Sequence, residues 1–99
     1  MFVHVLNYVQ HCQTNADGDK IFNVIAPALL RGETVTVSFK GVISLPSSFV
    51  NSAFIPLLND LSFEQIKKQL RFQDTNSQMN SMIKSRFDFE INRGFEAVH

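Results

Sequence analysis

The chain changes its hydrophobic period once, near its middle, and that change limits what it can fold into. From Thr34 to Lys40, Val35, Val37 and Phe39 alternate with Thr36, Ser38 and Lys40, the two-residue repeat of a half-buried strand. From Phe49 onward the repeat is helical: Phe49, Ala53 and Leu57 share one stripe, and Val50, Phe54 and Leu58 share the next. Between them lie Gly41, the apolar run Val42, Ile43 and Leu45, and then Pro46-Ser47-Ser48. A strand that hands over to an apolar helix through a polar turn points to the α/β class.

The flanking segments extend the pattern. Residues 2–9 are rich in β-formers and read as a first strand. Gln10 to Lys20 reads as a loop, with Asp17-Gly18-Asp19 as a turn and Asp17 or Asp19 available to cap the next element. Ile21 to Leu30 reads as a helix with Ile21, Ile25, Ala28 and Leu29 on its apolar face. Pro27 predicts a kink or a late start there, and Arg31-Gly32 supplies a cation and a C′ glycine to end it. Strand, helix, strand is a βαβ unit, for which a parallel pair with a right-handed crossover is the default.

A second helix is predicted over 47–59, bent or frayed near Pro56, with a hydroxyl of Ser47 or Ser48 capping it. Ser62-Phe63-Glu64-Gln65 has the form of a capping box and predicts a helical turn at 63–68. Leu70 and Phe72 mark a short third strand, 74–77 a loop with N-cap residues, and Met79, Met82, Ile83 and Phe87 a final helix. Residues 87–91 satisfy both strand alternation and the i, i+4 rule, and the helix is favoured. The end after Arg93 is expected to fray.

Size and charge narrow the function classes. A chain of 99 residues supports one core, so a single domain over 1–99 is expected, with its core at about 2–87. Nine basic and nine acidic residues cancel, which argues against a bulk electrostatic grip on nucleic acid or an anionic membrane. The same neutrality leaves homo-oligomers open. The lone Cys12 allows no intramolecular disulfide, no signal-peptide pattern opens the chain, and no apolar run reaches a membrane span of about 20 residues. A cytoplasmic location is the expectation.

The residues also argue against catalysis, metal and cofactor. His4, His11, Cys12 and His99 lack metal-site spacing, and Asp17-Gly18-Asp19 lacks the rest of a calcium loop. Ser48 has no sequence-local base and no Gly-x-Ser-x-Gly elbow. The basic groups Lys67, Lys68, Arg71 and Lys84, Arg86, Arg93 read as solvated helix faces, the second balanced by Asp88 and Glu90.

The strand Val35 to Phe39, Gly41-Val42, Pro46-Ser47-Ser48-Phe49 and the helix with Ala53, Phe54 and Leu57 together resemble the STAS-like family of small bacterial domains. The helix with Pro27 and Leu29-Leu30-Arg31-Gly32 fits the same pattern, so the resemblance spans roughly residues 20–87. It implies a small, mainly parallel four-stranded sheet flanked by helices. In the related anti-sigma factor antagonists, an Asp-Ser-Ser-Gly turn opens the helix, and its second serine is phosphorylated by a histidine-kinase-like (GHKL) ATPase. That serine falls on Ser48, preceded by Ser47; Pro46 stands at the Asp position and Phe49 at the Gly position. The resemblance therefore implies a non-enzymatic regulatory module that docks a protein partner through Pro46, Ser47, Ser48, Asn51 and Ser52. The alternative expectation is a small accessory or inhibitor protein of a mobile element or defence locus, acting by steric binding without phosphorylation.

Overall fold

The structure, a computed structural model, describes residues 1–98, with side chains described through Arg93. Alternation in the central segment produces a strand, β2 (Val35–Ser38), as the pattern predicts. It is flanked by β1 (Phe2–His4) and β3 (Leu70–Gln73) in the order β1-β2-β3. Both pairings are parallel, with Val3 beside Val37 and Val37 beside Phe72. Helices α1 (Asn15–Leu30), α2 (Ser47–Ala53), α3 (Phe63–Gln69) and α4 (Ser77–Val98) fill the connections and the C-terminal side.

The pleat sorts the side chains of this sheet. Val3, Val35, Val37 and Leu70 are buried toward the helices. Phe2, Thr36 and Arg71 form one row of the other face, and His4, Ser38 and Gln73 the next. Phe2 is 49% exposed, and His4, Arg71 and Gln73 are exposed as well. A parallel sheet is normally covered on both faces; here four of the six side chains on the second face are exposed. Ser38 is the buried member of the open rows. Its hydroxyl donates to Asp74 Oδ2 at 2.5 Å and accepts from the Lys40 N–H at 3.3 Å. Asp74 itself has φ 58°, a left-handed conformation that aspartate tolerates better than most residues.

Phenylalanines fill the space between sheet and helices. Phe39, Phe49, Phe54 and Phe72 contact one another mostly edge to face, with centroids 5.2–6.3 Å apart, the arrangement the ring quadrupole favours.

The implied four-stranded sheet is corrected to three strands among the described residues. The apolar run after Gly41 is held by side chains. Asn76 Nδ2 donates to the Ile43 carbonyl at 2.7 Å, and the Gln78 amide exchanges two 2.8 Å bonds with the Leu45 backbone. Residues 87–91 belong to α4, where the i, i+4 stripe Met79, Ile83 and Phe87 is buried.

Other boundaries move for local reasons. The first strand ends at His4, because the chain turns at Val5–Asn7 and Val5 O accepts from the Tyr8 and Val9 N–H groups. The predicted loop 10–20 is half helix: α1 begins at Asn15, capped by Thr14. It runs through Pro27 to Leu30, and Gly32 beyond it takes φ 86°. The predicted helix 47–59 divides at Phe54 into α2 and a 3-10 turn, Ile55–Asn59, with Pro56 in its first turn. The Ser62–Gln65 capping box forms as read and opens α3. The expected fraying after Arg93 falls on residues 94–99, whose side chains lie outside those described; the backbone of α4 is helical to Val98.

Candidate functional site

The turn into α2 is built by Pro46. Its backbone is extended (φ −79°, ψ 161°), so it occupies the N-cap position, and no side chain caps this helix. The predicted cap by Ser47 or Ser48 does not form: both serines already lie in the first helical turn, past the one extended residue a cap requires. Ser47 is exposed. Ser48 turns inward, and its hydroxyl donates to the Gln13 carbonyl at 3.0 Å.

The remaining candidates divide between two neighbours. Ser52 Oγ donates to Asn15 Oδ1 at 3.0 Å, so Ser48 and Ser52 both tie α2 to the start of α1. Asn51 Oδ1 accepts from Arg86 Nε at 2.6 Å, and Arg86 Nη2 also holds Glu90 at 3.0 Å. Pro46 is half-buried. Of the five residues read as a docking patch, Ser48, Asn51 and Ser52 are thus engaged within the molecule, and Ser47 is exposed.

The segment that Ser48 touches is itself ordered by Asp17. Thr14 Oγ1 accepts from the Asp17 N–H, and Asp17 Oδ2 accepts from the Gln13 and Thr14 N–H groups at 3.2 Å and from His11 Nδ1 at 3.0 Å. Burial works against the charged carboxylate, but these hydrogen bonds outweigh it and hold the Asp17 carboxyl below its ordinary range. Gln13 therefore donates its N–H to the cap of α1 and accepts with its carbonyl from Ser48 of α2. One residue joins the starts of two helices.

Gly18 explains how those helices come so close, and the sequence reading missed it by placing Gly18 in a turn. A Cβ built on Gly18 would lie 2.6 Å from Phe49 O, 2.8 Å from Ser52 Cβ and 3.0 Å from Ala53 N. Two of these atoms are backbone and cannot rotate away. The available signal was Thr14 three residues before Asp17, a capping box that places Gly18 inside a helix.

The other singled-out residues are scattered. Cys12 is buried, and burial pushes its thiol up to about 12, with the Asp17 charge adding to the shift; a thiol so placed is a poor nucleophile. His4 stacks edge-on against Phe2 on the open sheet face at 4.7 Å, away from the His11–Asp17 pair. The basic residues of α4 are paired along the helix: Lys84 with Asp88 at 2.8 Å and Arg86 with Glu90 at 3.0 Å. The hydroxyl of Ser48 is aimed at a carbonyl and not at a base. No helix among the described residues is long and apolar enough to cross a membrane.

No curated protein and no solved structure matches the chain. A family description does: the STAS-like domain of unknown function (DUF4325) matches residues 17–80, from the first turn of α1 through the first turn of α4. That span holds β2, β3, the Pro46-Ser47-Ser48 turn and the Gly18 crossing, and the chain belongs to the STAS-like domain family.

Proposed function

We propose that this STAS-like domain is a non-enzymatic protein-interaction module, docking a partner through the joined starts of α1 and α2 and switched at Ser48. The observation that carries this reading is the Ser48–Gln13 hydrogen bond. Phosphorylation of Ser48 removes the hydroxyl proton that Gln13 accepts. It also sets phosphate oxygens, with close to two negative charges, beside a carbonyl oxygen. Like dipole and charge repel, so the modification pushes α2 from the segment that leads into α1. Ser47, one residue earlier and exposed, would carry a phosphate without that disturbance. Coupling to a second element is what singles out Ser48 as the switch and leaves Ser47 as a neighbour at the partner surface.

The partner class is a histidine-kinase-like ATPase, which would both bind the face and supply the phosphoryl group. The experiment incubates the purified chain with such an ATPase encoded in the same genome and ATP, reads the modified residue by mass spectrometry, and measures binding of wild type, Ser48→Ala and Ser48→Asp. Expected are a phosphoryl group on Ser48, retained binding by Ser48→Ala and binding weakened by about ten-fold or more in Ser48→Asp, since a carboxylate set against the Gln13 carbonyl pushes α2 from its place. Equal binding by Ser48→Ala and Ser48→Asp contradicts the switch.

A further inference from the structure

A separate cleft lies on other elements, between α3, β3 and α4. It is an open cleft of about 510 Å³, within the range of roughly 300–1,000 Å³ typical of small-molecule sites. Ile66, Leu70, Ile83 and Phe87, all at most 6% exposed, reach it from the core. Phe63 of α3 and Phe87 of α4 both line it and touch each other, with ring centroids 5.4 Å apart. The floor is apolar, and the two long walls belong to different helices.

Charge at the rim identifies what would fill it. Lys67 rises from the α3 wall with its ammonium 5.3 Å from the centre of the Phe63 ring, and it has no carboxylate partner among the described residues. Lys84 stands on the α4 wall, where Asp88 at 2.8 Å neutralises it. The rim thus keeps one uncompensated cation, set over an aromatic face at the edge of an apolar cavity. A neutral apolar ligand would leave that cation unused, and a cationic one would be repelled by it.

We propose that the α3–β3–α4 cavity binds a small amphipathic carboxylate, a medium-chain fatty-acid-like anion, with its apolar body on Ile66, Leu70, Ile83 and Phe87 and its carboxylate at Lys67. The cavity shares no residue with the Ser47–Ser48 turn, so the proposal stands apart from the phosphoserine reading.

Decanoate is the probe, with decanol and decylammonium as its neutral and cationic counterparts, each titrated into the 15N-labelled full chain and followed by NMR. The expected result is saturable binding of decanoate, with shifts confined to amides of α3, β3 and the first half of α4. Decanol binds more weakly and decylammonium weaker still. Lys67→Glu, an exposed position, weakens decanoate by about five-fold, the scale of a surface ion pair. Asn80→Trp, at an exposed place on the lining, blocks the mouth and abolishes binding without altering the core. Absence of saturation, shifts scattered over the surface, equal affinity for decanoate and decanol, or no effect of Lys67→Glu each overturn the proposal. So does shift perturbation of the same amides in wild type by protein concentration alone, which would assign the cavity to a second copy of the chain.

Discussion

The α1–α2 seam and the α3–α4 seam are built from the same materials and end differently. At the first, Gly18 removes a side chain from the crossing, Phe49 and Ala53 pack fully buried, and Ser48 and Ser52 tie the two helices with hydrogen bonds. At the second, Phe63 and Phe87 meet with tilted rings, Lys67 and Lys84 stand on the walls, and an open cleft remains. A large aromatic at the contact holds helices apart, whereas a glycine lets backbone approach backbone. The seal is therefore decided by the residue at the crossing point, more than by how hydrophobic the helices are.

Substitutions can break the contrast, and their effects rank by how closed the site is. Phe49→Ala in the sealed seam is expected to cost about 4 kcal/mol in urea unfolding, since a fully buried ring leaves a cavity that cannot collapse. Phe63→Ala, on a partly buried ring beside the open cavity, should cost about 1–2 kcal/mol, because part of the ring is already hydrated. Equal losses would mean that the two seams are equally packed. Gly18→Ala, also in the sealed seam, falls between them at a net loss of about 2 kcal/mol. Alanine favours a helix over glycine by about 1 kcal/mol, so a stabilised variant would show that the α1–α2 approach is looser than the Gly18 geometry requires.

The smallest effect concerns the carboxylate that orders the α1 start. Asp17 is held below its ordinary range in the folded chain and lies near about 3.9 when unfolded. The unfolded state thus binds more protons in the window below about pH 4, and the contribution of Asp17, complete above that, is lost as pH falls through its folded value. The difference in melting temperature between wild type and Asp17→Asn should be present at about pH 5 and close below about pH 4. A gap that persists unchanged into acid would contradict the part assigned to its charge.

Much of this fold could be read from residue order. The alternation of Val35, Val37 and Phe39, the Ser62–Gln65 capping box and the i, i+4 stripe of Met79, Ile83 and Phe87 are local signals, and each forms the element it predicts. The start of α1 was hidden because its first turn is polar and contains glycine, a combination that resembles a loop until Thr14 is paired with Asp17. The implied fourth strand has no counterpart among the described residues, and the apolar run after Gly41 is held by a tertiary effect that residue order does not show: Asn76 and Gln78, more than thirty residues away, bond its backbone. The site was legible as a serine turn but not as a contact. That Ser48 faces Gln13, Ser52 faces Asn15 and Asn51 faces Arg86 depends on helices brought together across at least 35 positions. The α3–α4 cavity left no periodic trace, because Lys67 and Phe63 look like an ordinary helix face until α4 is placed opposite.

Native-state hydrogen exchange compares the two seams within one molecule and tests most directly the claim that one is sealed and the other open. The amides of Ile25 in α1 and of Phe54, which bonds the Val50 carbonyl, should exchange only through global unfolding, with the free energy given by denaturant titration. The amide of Ile66 in α3, bonded to the Ser62 carbonyl, should open through a smaller fluctuation, with a free energy lower by about 2 kcal/mol or more. A single common free energy for all three amides would contradict it.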